Sequence, residues 1–329
     1  MARVFLTGAG GFLGGHVLRQ LVDQGVGTVA LCRDDATAAR LREAGADVAR
    51  GDLADRASLA AALRGVDSIF HMAADTSSWT LANAAQTRTN VDGTANLVAC
   101  ARDAGVRRFV HTSSVAAFGA VEHSALFEAL PRLGTGSWIN YERTKAMGEL
   151  IVRDAGRAGW FETATLLPAH ILGPGDRRNW ARLFLLVDRD ALPGVPPGAG
   201  AFADVREVAR AHVAAWRHAS NGEAWLLGGA HATYLELVQA IAADLGRRTP
   251  RRAVPVRWLM LYARLAEAAS VVTRRAPQAS PEAVALTCRR LRVDSRKAQA
   301  QLDYRMPPLG LLIRDTLDWL RTQGLLRSR

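Results

Sequence analysis

The feature that most constrains this chain lies in its first 25 residues. "RVFLT" reads as a buried strand, passes directly into "TGAGGFLGG", and opens the amphipathic stretch "FLGGHVLRQLVDQG" that closes at Gly25. Gly8, Gly11 and Gly14 stand three apart, a G-x-x-G-x-x-G spacing rather than G-x-G-x-x-G. Glycine permits a tight turn and lets backbone amides approach a pyrophosphate at a helix N-terminus. In a chain of 29 glycines a triplet alone says little. Between a strand and a helix it points to a dinucleotide site, a plain structural turn being the alternative.

The pattern then repeats. "TVALC", "DVARGDL", "SIFHMAA" and "RRFVHTSS" read as strands, separated by helical stretches at "ATAARLREAG", "RASLAAALRG" and residues 85–104. Strands alternating with helices, and apolar runs with little alternation, predict an α/β, Rossmann-type, doubly wound parallel sheet. Beyond residue 168 the pattern loosens into turn-rich "GPGD" and "LPGVPPGAGAF". Helices are expected near 205–219, 234–245, 257–273, 281–290 and 308–322, with a short strand "AWLLGG". The expected layout is a dinucleotide-binding domain over 1–170 and a smaller, mostly helical substrate lobe over 171–329, with the helix and strand near 205–228 returning to the first.

The second strand ends "ALCRDD". A fold that favours NAD places a carboxylate there for the ribose hydroxyls. Here Cys32 is followed by Arg33, a fixed cation able to make paired hydrogen bonds to a 2′-phosphate. That predicts NADP(H), the alternative being a solvated Arg33 with Asp34 or Asp35 on the ribose of NAD(H).

"INYERTKAMGEL" sets Tyr141 and Lys145 four apart on one helix face. The chain has 42 Lys plus Arg, of which only Lys145 and Lys297 are lysine. With four tyrosines and two lysines, chance gives roughly 0.02 Y-x-x-x-K matches. An ammonium beside a phenol favours the phenolate and should lower its pKa. Lysine's compact head on a flexible stem also reaches where a planar guanidinium does not.

The glycine turn, "GDLAD", "HMAA", "NVDGT", "TSSVAAFG" and "YERTK" occur in the order that resembles extended short-chain dehydrogenases/reductases, within the NAD-dependent epimerase/dehydratase family. "LLPAHILGPGD" and "RKAQAQLDY" carry the likeness over nearly the whole chain. The resemblance implies that Tyr141 is the catalytic acid/base and Lys145 its partner on the nicotinamide ribose. It implies that Ser114, ahead of Ser113, holds the substrate oxygen, and that Asn90 braces the site. It assigns Thr7, Gly8, Gly11, Phe12, Leu13 and Gly14 to the cofactor turn, Asp52 and Leu53 to the adenine, Ala73 and Ala74 to the cofactor channel, and Pro168 to the nicotinamide. Singly, Ser113, Ser114 and Asn90 also suit turn or cap chemistry.

Within that resemblance the favoured reaction is reversible reduction of a ketone or aldehyde on a bulky, apolar small molecule. The alternative is epimerisation or dehydration of a nucleotide sugar with retained NAD; a non-catalytic cofactor-binding protein ranks third. Val115 and Ala116 follow the serine where a sugar dehydratase carries a carboxylate. Gly200, in "GAFADV", stands where sugar-nucleotide members carry a diphosphate-clamping arginine, with Arg177, Arg178 or Arg206 as possible substitutes. The nearest likeness is to dihydroflavonol-reductase-like and 3β-hydroxysteroid-dehydrogenase-like members, although a hopanoid-associated sugar-epimerase-like subgroup is also similar. Trp79, Phe118, Trp180, Phe184 and Trp258 are candidate pocket residues.

Composition bounds the partners. No 18-residue apolar run predicts a spanning helix, and the N-terminus lacks signal-peptide character, so a cytoplasmic protein is expected. Cys32, Cys100 and Cys288 fit reduced thiols, and no metal-ligand spacing occurs. The net charge of +11 is lopsided: from Arg247 onward 18 Lys/Arg face 6 Asp/Glu. No nucleic-acid motif accompanies it. "VRWLMLYARLAEAASVV" is expected to be a lid helix over the substrate cleft, with a membrane surface as its second reading. The family likeness also implies a possible homodimer through the Tyr141 helix.

Overall fold

The structure is a computed structural model and describes residues 2–120 and 125–327. Seven strands form a sheet whose neighbours are all parallel: β1 (Arg3–Thr7), β2 (Gly27–Cys32), β3 (Asp47–Arg50), β4 (Ser68–His71), β5 (Arg108–Thr112), β6 (Glu162–Pro168) and β9 (Glu223–Leu227). Their order is β3-β2-β1-β4-β5-β6-β9, so the winding reverses between β1 and β4. Ligands of such sheets sit beyond the carboxyl ends of the strands at that reversal.

Burial on both faces explains the unalternating strand sequences. In β1, Val4 and Leu6 pack with Val17, Leu18 and Leu21 of α1 (Phe12–Asp23) and Val208 of α8 (Val205–His218). Phe5 points the other way, onto Leu59 of α3 (Arg56–Ala62), Leu97 of α5 (Gly93–Asp103) and Val152 of α6 (Asn140–Arg157). Phe5 and Phe109 are wholly buried, and truncating either to alanine is worth about 3–5 kcal/mol. The remaining crossover on the first half is α2 (Asp35–Glu43).

The helix expected over 85–104 is three pieces in line: α4 (Asn83–Thr87), a π-helical turn (Arg88–Asp92) and α5. A π-turn inserts a residue and redirects side chains. Gly148 makes room for it, since a Cβ there would lie 2.9 Å from the Asn90 carbonyl oxygen.

The C-terminal part is not helices alone. A second sheet, ordered β10-β8-β7, is built from β7 (His170–Leu172), β8 (Ala199–Asp204) and β10 (Ala230–Thr233), with β8 parallel to β7 and antiparallel to β10. Around it lie α7 (Ala181–Asp188), α9 (Tyr234–Leu245) and α13 (Leu309–Thr322), sharing a core of Phe184, Phe202, Leu237, Ile241, Ile313 and Leu317. Three further helices lie among the described residues: α10 (Val256–Thr273), α11 (Pro281–Thr287) and α12 (Arg296–Leu302). The small sheet escapes a sequence reading because "AGAFAD" and "AHAT" lack the β-branched density of a strand, while β7 is three residues long.

Candidate active site

The glycine turn joins β1 to α1 at the winding reversal. Gly8 has φ +74°, and a Cβ there would lie 2.7 Å from the Ala73 nitrogen at the end of β4. A Cβ on Gly14 would lie 2.1 Å from the Gly8 carbonyl oxygen. Gly11 caps α1 with no side-chain hydrogen bond, and the first turn carries no acidic residue. The amides of Phe12 and Leu13 therefore face outward at the positive end of a helix, where a pyrophosphate fits. Thr7 is wholly buried and braces the strands: its hydroxyl meets His71 Nδ1 at 2.7 Å and accepts from the Ala73 amide at 3.2 Å.

Just after β2, the Arg33 side chain is 78 % exposed and its one ion pair among the described residues, to Asp52, spans 3.8 Å. The alternatives for the ribose, Asp34 and Asp35, are exposed and each has a local partner. Asp34 caps α2, accepting from the Thr37 amide at 2.7 Å, which holds its carboxyl below the usual range. Asp35 faces Arg50 at 3.4 Å. Asp52 accepts from the Ala54 amide at 2.8 Å, and Leu53 is buried against Gly93.

Tyr141, Lys145 and Ser114 come together at the carboxyl ends of β5 and β6. Ser114 is extended, caps a 3₁₀ turn (Val115–Phe118) by accepting from the Ala116 amide at 3.1 Å, and hydrogen-bonds the Tyr141 phenol. Ser113 faces away, donating to buried Glu149 at 2.6 Å, and Glu149 also accepts from Arg132 Nε at 2.8 Å. Lys145 is buried and donates through Nζ to the Thr112 carbonyl at 2.7 Å. Burial lowers its pKa to about 8, against the raising influence of Glu149 one turn on.

The phenol behaves differently from the sequence expectation. Burial raises the Tyr141 pKa, the Ser114 hydrogen bond lowers it, and Lys145 is not among the influences on it. The ammonium goes to a strand-end carbonyl, so desolvation outweighs the lysine and the phenol stays protonated at neutral pH.

Asn90, on the π-turn, clamps the loop after β4. Its Oδ1 accepts from the Asp75 amide at 2.7 Å, and its Nδ2 donates to the Asp75 carbonyl at 2.8 Å and to Thr144 Oγ1 at 3.1 Å. Ala73 and Ala74 lie beside it, lining a cavity of about 10 Å³ with His111, Thr144 and Lys145. His71 is fixed as the Nε2–H tautomer: Thr94 Oγ1 donates to the Asn90 carbonyl at 2.7 Å and so accepts from His71 at 2.9 Å. Pro168 ends β6 opposite Leu227.

Sequence reasoning missed His170, Glu149 and the Thr112 carbonyl. The signal for Glu149 was present, four residues after Lys145 on the same helix. His170 lies within "LLPAHILGPGD", where no spacing marks it. Its part-buried ring shares a hydrogen bond with Tyr234 Oη at 2.9 Å and packs at 4.9 Å from Trp180. A Cβ on Gly200 would lie 2.3 Å from its Cδ2. Arg206 is bound to Asp204 and Asp315, while Arg177 meets Gln323 and lies over Trp319 at 5.4 Å. Of the candidate pocket aromatics, Phe118 and Phe184 are wholly buried core residues, and Trp258 faces solvent. Trp180 stacks on Tyr234 at 5.7 Å, and Trp79 donates to Ser270 at 2.9 Å.

A glycine turn at the winding reversal, with tyrosine, lysine and serine gathered at the strand ends, defines a dinucleotide-dependent enzyme of the extended short-chain dehydrogenase/reductase class. The chain belongs to the NAD dependent epimerase/dehydratase family, whose model matches residues 4–228, and members of that family bind NAD(P). It is 31% identical over 326 residues to sterol demethylase protein B of Methylococcus capsulatus, covering 98% of this chain and 99% of that one. A Synechocystis protein named as a dihydroflavonol 4-reductase is 27% identical over 333 residues, covering 99% and 96%. The solved protein gox2253 superposes with a TM-score of 0.85 at 28% identity, covering 99% and 100%.

Proposed function

We propose that this enzyme reduces a ketone or aldehyde on a bulky, apolar small molecule with NADP(H), or oxidises the corresponding alcohol. The reduced nicotinamide, when bound, supplies the hydride. Ser114 holds the carbonyl oxygen beside Tyr141, and the phenol proton passes to that oxygen. A phenol kept protonated by burial suits a proton donor. Lys145, from the next turn of α6, positions the ribose and restores the proton; Asn90 keeps the Asp75 loop in place beside them. Arg33 is the 2′-phosphate contact, since Asp34 is occupied as a helix cap.

The observation that carries the reading against nucleotide sugars is His170. It fills the space a side chain at position 200 would need, and of the three substitute arginines Arg206 and Arg177 are committed elsewhere, which leaves Arg178 alone, exposed and with only its backbone amide bound, to Asp176. A diphosphate without a paired cation is poorly held. The names of the two relatives, a sterol enzyme and a dihydroflavonol reductase, support a bulky ring system. NADPH oxidation against a panel of polycyclic ketones and UDP-sugars tests this. Turnover of a ketone that Tyr141→Phe abolishes, with NADPH affinity retained, supports it; epimerisation of a UDP-sugar with tightly retained NAD refutes it.

A further inference from the structure

Helix α10 presents its apolar side to solvent. Its inner face is narrow: Ala263 and Ser270 are buried, Ser270 accepts from the Trp79 indole at 2.9 Å, and Glu267 accepts from Thr80. At 100° per residue, Trp258, Leu261, Leu265, Ala268 and Val272 fall on the opposite side. Leu265 is 64 % and Val272 85 % exposed, and Trp258 and Leu261 are also exposed. The only acidic residue of the helix, Glu267, is the one turned inward to Thr80.

Cations surround this strip. Arg251 and Arg252 precede the helix, Arg257 and Arg264 flank it, and Arg274 and Arg275 follow it, all exposed. None of the six makes a salt bridge among the described residues. Arg257 instead lies over the Trp258 ring at 5.5 Å. No helix among the described residues is long and apolar enough to cross a membrane. An outward apolar strip with aromatic residues and a rim of unpaired arginines matches a helix lying in a bilayer interface, where the strip enters the acyl boundary and the guanidinium groups meet phosphates.

We propose that α10 docks this protein on an anionic phospholipid surface. The helix lies parallel to the membrane, with its inner side against the Trp79–Thr80 segment. That segment belongs to the loop Asn90 clamps at Asp75, so docking brings the candidate site's loop close to the bilayer. The inference rests on the exposed face and its charge, and stands whichever reaction the enzyme performs.

The test is sedimentation of the full chain with phosphatidylglycerol-containing vesicles and with pure phosphatidylcholine vesicles, at low and high salt. Binding to anionic vesicles should exceed binding to neutral ones at least tenfold and fall severalfold at high salt. The double variant Leu265→Glu/Val272→Glu, altered only at outward positions, should lose at least tenfold in vesicle binding and keep wild-type cofactor affinity. Light scattering should give the same mass for wild type and variant. No pelleting on anionic vesicles, or pelleting indifferent to the double variant, overturns the proposal. So does conversion of a wild-type dimer to a monomer by the double variant, which would make a second copy the occupant.

Discussion

Replacing Lys145 by methionine should make the protein more stable while abolishing its activity. The lysine head is buried, and its Nζ donates to the Thr112 carbonyl at 2.7 Å. Burial brings the ammonium pKa from 10.5 down to about 8. The folded chain therefore binds its proton less tightly than the unfolded chain. Stability from this group rises with pH between the two values, and its full penalty applies below the lower one. At pH 7 that penalty is roughly 3 kcal/mol, at about 1.4 kcal/mol per pH unit. Methionine keeps the stem and removes the charge, at the loss of a hydrogen bond worth about 1 kcal/mol. The net expectation is a variant roughly 2 kcal/mol more stable at pH 7, with the advantage shrinking to near zero by about pH 9.5. Urea unfolding of both proteins at the two pH values, followed by tryptophan fluorescence, reads the difference directly. A variant less stable at pH 7, or a difference indifferent to pH, would refute the account of a strained buried charge.

Arg33→Ala should cost about ten- to a hundredfold in NADPH affinity, the value of a charge-assisted hydrogen bond pair, with NADH affinity and melting temperature unchanged; equal losses on calorimetric titration would remove the 2′-phosphate role. Gly14→Ala drives a Cβ into the Gly8 carbonyl, so cofactor titration should fail and the melting temperature fall; wild-type affinity would mean the turn does not hold the pyrophosphate. Glu149→Ala removes the carboxylate partner of part-buried Arg132 and frees Ser113, and should cost about 3 kcal/mol on denaturant unfolding, a loss under 1 kcal/mol counting against the ion pair.

How far the sequence reaches depends on what each feature needs. The parallel sheet and its helices were legible because burial on both faces writes itself as apolar runs, as in "RVFLT" and "RFVHT". The second sheet was not, because its strands are held by neighbours rather than by β-branched residues of their own. Spacing brought Tyr141 and Lys145 onto one helix face. It carried no information on how deeply that face sinks, and depth reverses the direction of the phenol's pKa. The aromatic residues divided for a similar reason: Phe184 and Trp258 are alike in sequence, but one faces the core of α7, α9 and α13 and the other faces water. The π-turn depends on Gly148 two helices away, a contact no local pattern announces.

The meeting of His170 with Gly200 has a consequence for descent. An enzyme with this site cannot gain a diphosphate-holding arginine at position 200 in one step, because the imidazole stands in the way and is itself held by Tyr234. The arginine is harmful until His170 becomes smaller, and shrinking His170 alone leaves the Tyr234 hydroxyl without its partner. Each change should cost stability by itself, so positions 170 and 200 are expected to change together. A double-mutant cycle on Gly200→Arg and His170→Ala, read by folding stability, would measure that dependence as a coupling energy.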